Sequence, residues 1–361
     1  MNRITSIKAA SAGASAPAKI ILFGEHFVNY NNPAILMAIN NRTKVTVHLN
    51  KTGNIHIRSN MLLAGSYIVQ DFEFLQDSVS RSSSGGNDSG RSNTSTDRTK
   101  RKFFEPIYRS ALSVLQKRGH SDLGLDIDVS SSIPIGVGLG SSASCCVATL
   151  GAVNALFNKT DSRRWIYTKA IESERLIHKN SSGADCCACT FGGLVYYTKN
   201  HGFKKINPRK NFSFVIANTR IKRSTGDLVG SVNKFKTDNK SIFKDTISSA
   251  YNICEAAHSA LLVGNEKKLG ELMNENHRLL QCIGVSNERI DHLIEVCIKN
   301  GAIGAKITGA GGGGCIIALL NNKKHYNSRI ISQIKYHSSD LINSKIDYDG
   351  LLIYNETLNS V

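Results

Sequence analysis

The sequence predicts an α+β chain of two domains, and three observations carry that reading. Short apolar runs and alternating apolar positions, the mark of strands, dominate the opening. Helical spacing takes over from about residue 241 to 300. The length of 361 residues suits two domains and a core large enough to need no disulfide or metal staple.

In order, residues 18–24 (AKIILFG) form an apolar run ending in glycine, a buried-strand signal. Val45, Val47 and Leu49 alternate within a strand from Arg42, and Ile55, Ile57 and the stretch Tyr67 to Phe74 continue the pattern. Between Ser78 and Lys102 the composition changes: Val79 is the only large aliphatic residue, and six basic residues stand against Asp88 and Asp97. Such a stretch cannot bury enough apolar area to offset chain ordering, so 78–102 is predicted to be a disordered insert. Helical spacing returns over Phe103–Lys117, and Leu125, Ile127 and Val129 alternate as a strand. A glycine-rich loop then leads into a small-residue helix from Ser142 to Phe157, followed by a helix over Ser162–His178. Strands are expected at Gly192–Tyr197 and Phe212–Ala217, with helices at Ile242–Val263, Lys267–Cys282 and Asn287–Lys299. The chain closes with strands at Gly304–Ile307 and Cys315–Leu320, a helix near Ser328–Ile342 and a strand at Gly350–Tyr354. The domain boundary is placed between residues 210 and 211, giving domains 1–210 and 211–361.

Composition bounds the function. The chain is 41% apolar, but its longest apolar runs break well before 18 residues, so no membrane-spanning helix is expected. The start has no apolar stretch of secretory type. Nine cysteines, an odd number in largely apolar surroundings, read as reduced thiols of a cytoplasmic protein. Cys186-x-x-Cys189 has no second pair to complete a zinc site. The net charge of +17 suits either an anionic partner such as a nucleotide or general surface basicity for solubility, and its even spread weighs against nucleic acid.

Four segments carry chemistry. Pro134-Ile-Gly136-Val-Gly138-Leu139-Gly140-Ser141-Ser142-Ala143-Ser144 follows a strand and opens a helix. Its glycines allow close backbone approach, and the helix start offers N–H groups and a positive dipole end to a phosphate. Ser141 and Ser142 can cap the helix or reach a phosphate or its metal. The loop is not of the G-x-x-x-x-G-K-[ST] type, and a glycine-rich turn of no function is the plainer alternative. Lys306-Ile-Thr-Gly309-Ala310-Gly311-Gly-Gly-Gly314 places five glycines in six residues, a costly concentration that suits a loop lying against another backbone or a phosphate chain. Lys19 lies in the first apolar run, ahead of Glu25 and His26. It is either paired in the interior or a strand-end lysine reaching water. Glu174 and Asp185, eleven residues apart, lie at a helix end and in the loop beyond it.

Together, the segments from Ala18, Pro134 and Lys306 resemble, in order, the three motifs of the GHMP kinases, a family comprising galactokinase, homoserine kinase, mevalonate kinase and phosphomevalonate kinase. The likeness spans roughly residues 17 to 320, and it is closest to the mevalonate kinase branch. Pro17-Ala-Lys-Ile-Ile-Leu-Phe-Gly-Glu-His26 is similar to that branch's P-x-K-x-I-L-x-G-E-H. The Asp-Tyr pair of a galactokinase is missing after His26. Glu174 to Asp185 resembles E-R-x-I-H-G-x-P-S-G-x-D, with Lys179 in place of Gly and Ser181 in place of Pro; after it, Cys186 stands where Asn is usual. Asn218-Thr219-Arg220 with Thr225 resembles the family's N-T-x segment and its substrate-side threonine.

The resemblance implies a GHMP kinase fold, with an N-terminal domain like ribosomal protein S5 domain 2 and a ferredoxin-like C-terminal domain. It implies ATP held by the loop Pro134–Ser144, Mg²⁺ held by Ser142 and Glu174, and Asp185 with Lys19 as catalytic residues. Glu25, His26, Thr225, Gly309, Ala310 and Gly311 are the implied mevalonate-binding residues, and a homodimer is the implied assembly. The rivals are another acceptor (a sugar, homoserine or phosphomevalonate) and a non-catalytic member that binds nucleotide or RNA.

Overall fold

The structure is a computed structural model describing residues 11–60, 62–63, 66–67, 70–74, 95–157, 161–176, 181–221, 225–321, 324–337 and 340–354. Among them two main sheets are found. The first is built on two long antiparallel strands, β1 (Ser11–Phe23) and β2 (Ala34–Asn50). Beyond β2 come β7 (Gly124–Ser131), β3 (Ile55–Ser59), which runs parallel to β7, and β6 (Gln70–Phe74). β14 (Leu352–Tyr354) lies beside β1, while β8 (Leu194–Thr198) pairs with the first half of β2 and with β9 (Gly202–Ile206). Two short strands, β4 (Leu62–Leu63) and β5 (Ser66–Tyr67), pair with each other. The second sheet is antiparallel, in the order β11 (Gly304–Thr308), β12 (Cys315–Leu319), β10 (Phe214–Asn218), β13 (Asp340–Ile342).

Alternation explains how the first sheet buries one face. Ala12, Ala14 and Ala16 of β1 share a core with Val45, Val47, Ile55, Ile57, Leu125 and Ile127. Helices α1 (Ser95–Arg118), α2 (Ser141–Leu156), α3 (Arg163–Glu174) and α4 (Ala184–Phe191) contribute to the same core. α2 is buried from Ala143 to Leu156, as expected of a helix with no polar face. Its small residues allow this: a Cβ at Gly151 would stand 3.0 Å from that of Ala14.

Around the second sheet lie α5 (Thr225–Asp238), α6 (Lys240–Val263), α7 (Glu266–Cys282), α8 (Glu288–Lys299) and α9 (Lys324–Tyr336). Asn265 and Asn287 cap α7 and α8, each accepting a first-turn N–H, and Ser162 does so for α3. One core unites the two sheets, joining Ile20, Leu22, Ile35 and Met37 to Ile253, Leu261, Met273 and Ile317. Within it the Thr308 hydroxyl accepts from Ile21 N–H and donates to Ile21 C=O, each at 2.9 Å, locking β11 against β1.

Four expectations are corrected. α1 begins at Ser95, inside the segment read as a disordered insert; Ser, Thr and Asp at its start favour a helix N-terminus, and residues 78–94 lie outside the described ones. The helix expected to reach Ile342 stops at Tyr336, because Leu341 and Ile342 pair along β10 instead. Asp185 is not in a loop but in the first turn of α4, a helix of only eight residues bracketed by Gly183 and Gly192. β1 starts at Ser11, its alanines being too small to register as an apolar run.

Candidate active site

The first glycine loop joins β7 to α2. Gly136, Gly138 and Gly140 all have positive φ, at 78°, 90° and 76°. At Gly140 the need is twofold: a Cβ there would lie 2.8 Å from Lys19 Cγ, and the residue serves as the N-cap of α2. Ser141 and Ser142 therefore do not cap the helix; they are its first two residues, and no side chain caps it. With no acidic residue in the first turn either, the helix start keeps its donors and dipole for an external anion. Three residues of the expected phosphate loop turn their side chains inward, leaving only their backbone to face a phosphate. Leu139 and Ala143 are buried in the cores, and the Ser144 hydroxyl is buried and donates to Ala16 C=O at 2.7 Å. Pro134 and Gly136 lie on the open side, half-buried and exposed respectively.

Lys19 is a mid-strand residue only 3% exposed, not a strand-end lysine reaching water. Its Nζ donates to Gly138 C=O at 2.9 Å and pairs with Asp185 Oδ2 at 3.1 Å, while its N–H donates to Leu139 C=O at 2.9 Å. Backbone and side chain thus fix the lysine to the loop that it serves. Asp185 is 32% exposed and opens toward solvent from the first turn of α4, where the helix dipole favours its charge.

Glu174, the last residue of α3, is buried. Ser181 Oγ donates to its Oε2 at 2.9 Å and the Cys186 thiol to the same oxygen at 3.4 Å. Burial, followed by the charge of Asp185, pushes its carboxyl up to about 7. Lys19 is ion-paired with Asp185 and acts on Glu174 only more weakly, through its charge. The hard oxygen donors of the two carboxylates suit a divalent cation that keeps part of its water. Cys146 lies close enough for its thiol to feel Glu174, and Ser142 stands one helical turn before it on the same face of α2.

The second glycine loop closes the circle. A Cβ at Gly314, where φ is 74°, would come within 2.5 Å of Val137 C=O, so the two loops meet backbone to backbone. Thr219 holds the same glycine, its N–H and hydroxyl donating to Gly314 C=O at 2.7 and 2.8 Å. Ala310 C=O lies 2.8 Å from His26 Nε2. His26 has φ of 59° just beyond β1, so the loop bearing Gly309 and Gly311 is tied to the strand that carries Lys19. Glu25 departs from expectation: it is fully buried, ion-paired with Lys306 and hydrogen-bonded by Asn276 Nδ2 at 3.3 Å, and cannot touch a substrate from there. Burial lowers the Lys306 ammonium, and Glu25 partly restores it. Thr225 opens α5, but its side chain lies outside the described residues. Sequence reasoning assigned no role to Thr308, Lys306 or Asn276; the rarity of an interior lysine was the available signal for Lys306.

Known proteins resemble this chain over nearly its whole length. The family models for the GHMP kinases N terminal domain and the GHMP kinases C terminal match residues 105–193 and 257–337. A mevalonate kinase of Thermococcus sibiricus is 35% identical over 94% of this chain and 97% of its own length, and one of Aeropyrum pernix is 30% identical over the same shares. Among solved structures, the Methanococcus jannaschii mevalonate kinase superposes with a TM-score of 0.74 at 26% identity, covering 92% of this chain and 98% of its own. L. major mevalonate kinase in complex with R-mevalonate shares the fold, with a TM-score of 0.75 at 24% identity over 94% and 98% of the two chains. The chain belongs to the GHMP kinase family.

Proposed function

We propose that this chain transfers the γ-phosphoryl group of ATP to the 5-hydroxyl of (R)-mevalonate, giving 5-phosphomevalonate and ADP, a step of isoprenoid biosynthesis. The observation that carries the reading is the buried Lys19 bridging Asp185 and the first glycine loop. It puts a cation and a proton acceptor beside the ready-made anion site at the start of α2. The near full-length relatives named mevalonate kinase supply the acceptor.

Phosphoryl transfer asks mainly for positioning and charge neutralisation. The backbone of Gly136 to Ser142 cradles the ATP phosphates. Asp185 orients the attacking hydroxyl and takes its proton, and Lys19, ion-paired with it, stabilises charge on the attacking oxygen. Glu174 and Ser142 would hold Mg²⁺, which when bound neutralises phosphate charge. His26, Thr225 and the loop Gly309–Gly311 line the acceptor side, with Glu25 fixing the backbone beneath His26. Meeting at Gly314 and Val137, the two glycine loops bring nucleotide and acceptor sides together. The eight buried free thiols accord with a cytoplasmic enzyme, and the reading includes the homodimer implied by family likeness.

The test is Asp185→Asn. Turnover of mevalonate should fall by about 10²–10⁴-fold while ATP affinity, read by fluorescence titration, stays within a few-fold. Unchanged turnover would remove Asp185 from the mechanism.

A further inference from the structure

Ser181 and Cys186 are two of the three residues, with Lys179, at which this chain departs from the resembled motif around Asp185, with Ser for Pro and Cys for Asn. Among the described residues they are also the two side chains that hydrogen-bond Glu174, and both converge on one oxygen, Oε2. Ser181 is itself oriented, since Gly183 N–H donates to its Oγ at 3.4 Å. Cys186 follows Asp185 directly in the first turn of α4. It is fully buried, with its thiol directed at Glu174 Oε2.

Two donors on one oxygen fix the carboxylate plane, leaving Oε1 as the free ligand. A buried carboxylate swinging on its χ angles would offer a metal many geometries, and Mg²⁺ tolerates few. Supporting hydrogen bonds that orient a ligand typically change metal affinity by about 10–100-fold when lost. We infer that Ser181 and Cys186 form a clamp, peculiar to this chain's version of the motif, that positions Glu174 for the divalent cation. Because Cys186 is the chain neighbour of Asp185, the clamp also sets the spacing between the metal-side and proton-accepting carboxylates. Both residues are positioning residues, and the inference rests on the proposed role of Glu174.

The experiment measures Mn²⁺ binding to the protein with ADP present, by electron paramagnetic resonance, alongside the Mg²⁺ dependence of turnover. Cys186→Ala and Ser181→Ala should each weaken Mn²⁺ by about tenfold and raise the Mg²⁺ needed for half-maximal rate in proportion. ADP affinity without metal should stay unchanged. Cys186→Ser keeps a donor and should restore Mn²⁺ affinity to within about threefold of wild type. Thermal melting of each variant shows whether it is folded, and Cys186→Ser supplies the comparison if Cys186→Ala is not. The clamp is overturned if both alanine variants bind Mn²⁺ as wild type does while Glu174→Gln loses it. If Glu174→Gln itself binds Mn²⁺ normally, the metal role of Glu174 fails instead. Equal losses in Cys186→Ser and Cys186→Ala would also overturn the clamp, reducing Cys186 to a matter of packing.

Discussion

Replacing Glu174 with Gln should make the protein more stable and far less active, and the size of the gain follows from its surroundings. Burial and the neighbouring Asp185 raise its carboxyl from 4.5 to about 7. A carboxyl raised in the fold contributes its full stability below its unfolded value, and that stability is lost as pH rises through the folded one. Ionising it at pH 8 thus costs the metal-free fold about 3 kcal/mol, against under about 1 kcal/mol at pH 5. Gln escapes this cost, and its amide oxygen can still accept from Ser181 and Cys186. For a chain of this length the gain corresponds to a melting shift of about 4 °C at pH 8 and about 1 °C at pH 5. Melting of both proteins in a chelator at the two pH values measures it. Meanwhile turnover should fall about a hundredfold or more, since the lost charge served the cation. A variant less stable than wild type at pH 8 would refute the reasoning, because an uncompensated buried charge would then not be present.

Lys19→Met should cut turnover by about 10²–10⁴-fold, since the attacking oxygen loses the cation that stabilises its charge; initial rates of turnover read it. Gly314→Ala forces a left-handed backbone and a 2.5 Å approach to Val137 C=O. It should destabilise by more than about 2 kcal/mol and raise the KM for ATP, as denaturant melts and initial rates would show. Lys306→Met strands the buried Glu25 carboxylate and should cost about 3–5 kcal/mol in urea unfolding, whereas Lys306→Met with Glu25→Leu should recover most of the loss.

The parts legible in the sequence were those with a local cause. Glycines at 136, 138 and 140 announced a left-handed, close-approach loop, and the apolar spacing of α6 to α8 announced long helices. Lys19 and Asp185 stood out as charge where strand and motif made it unusual, and the fold brings them together at 3.1 Å. What escaped had non-local causes. Glu25 faces inward because Lys306, 281 residues away, meets it in the core. Ser144 is lost to the phosphate loop because Ala16 C=O needs a donor where α2 lies on β1. The α4 helix hid in a run of cysteines between glycines, with burial against the sheet outweighing weak helix propensity.

The most direct test is ADP release with Mg²⁺-ATP against mevalonate, phosphomevalonate, galactose and homoserine, each saturating, for wild type and Asp185→Asn together. The expected result is turnover on mevalonate alone, lost in the variant. Turnover on another acceptor, or on mevalonate at an undiminished rate in Asp185→Asn, would contradict the account.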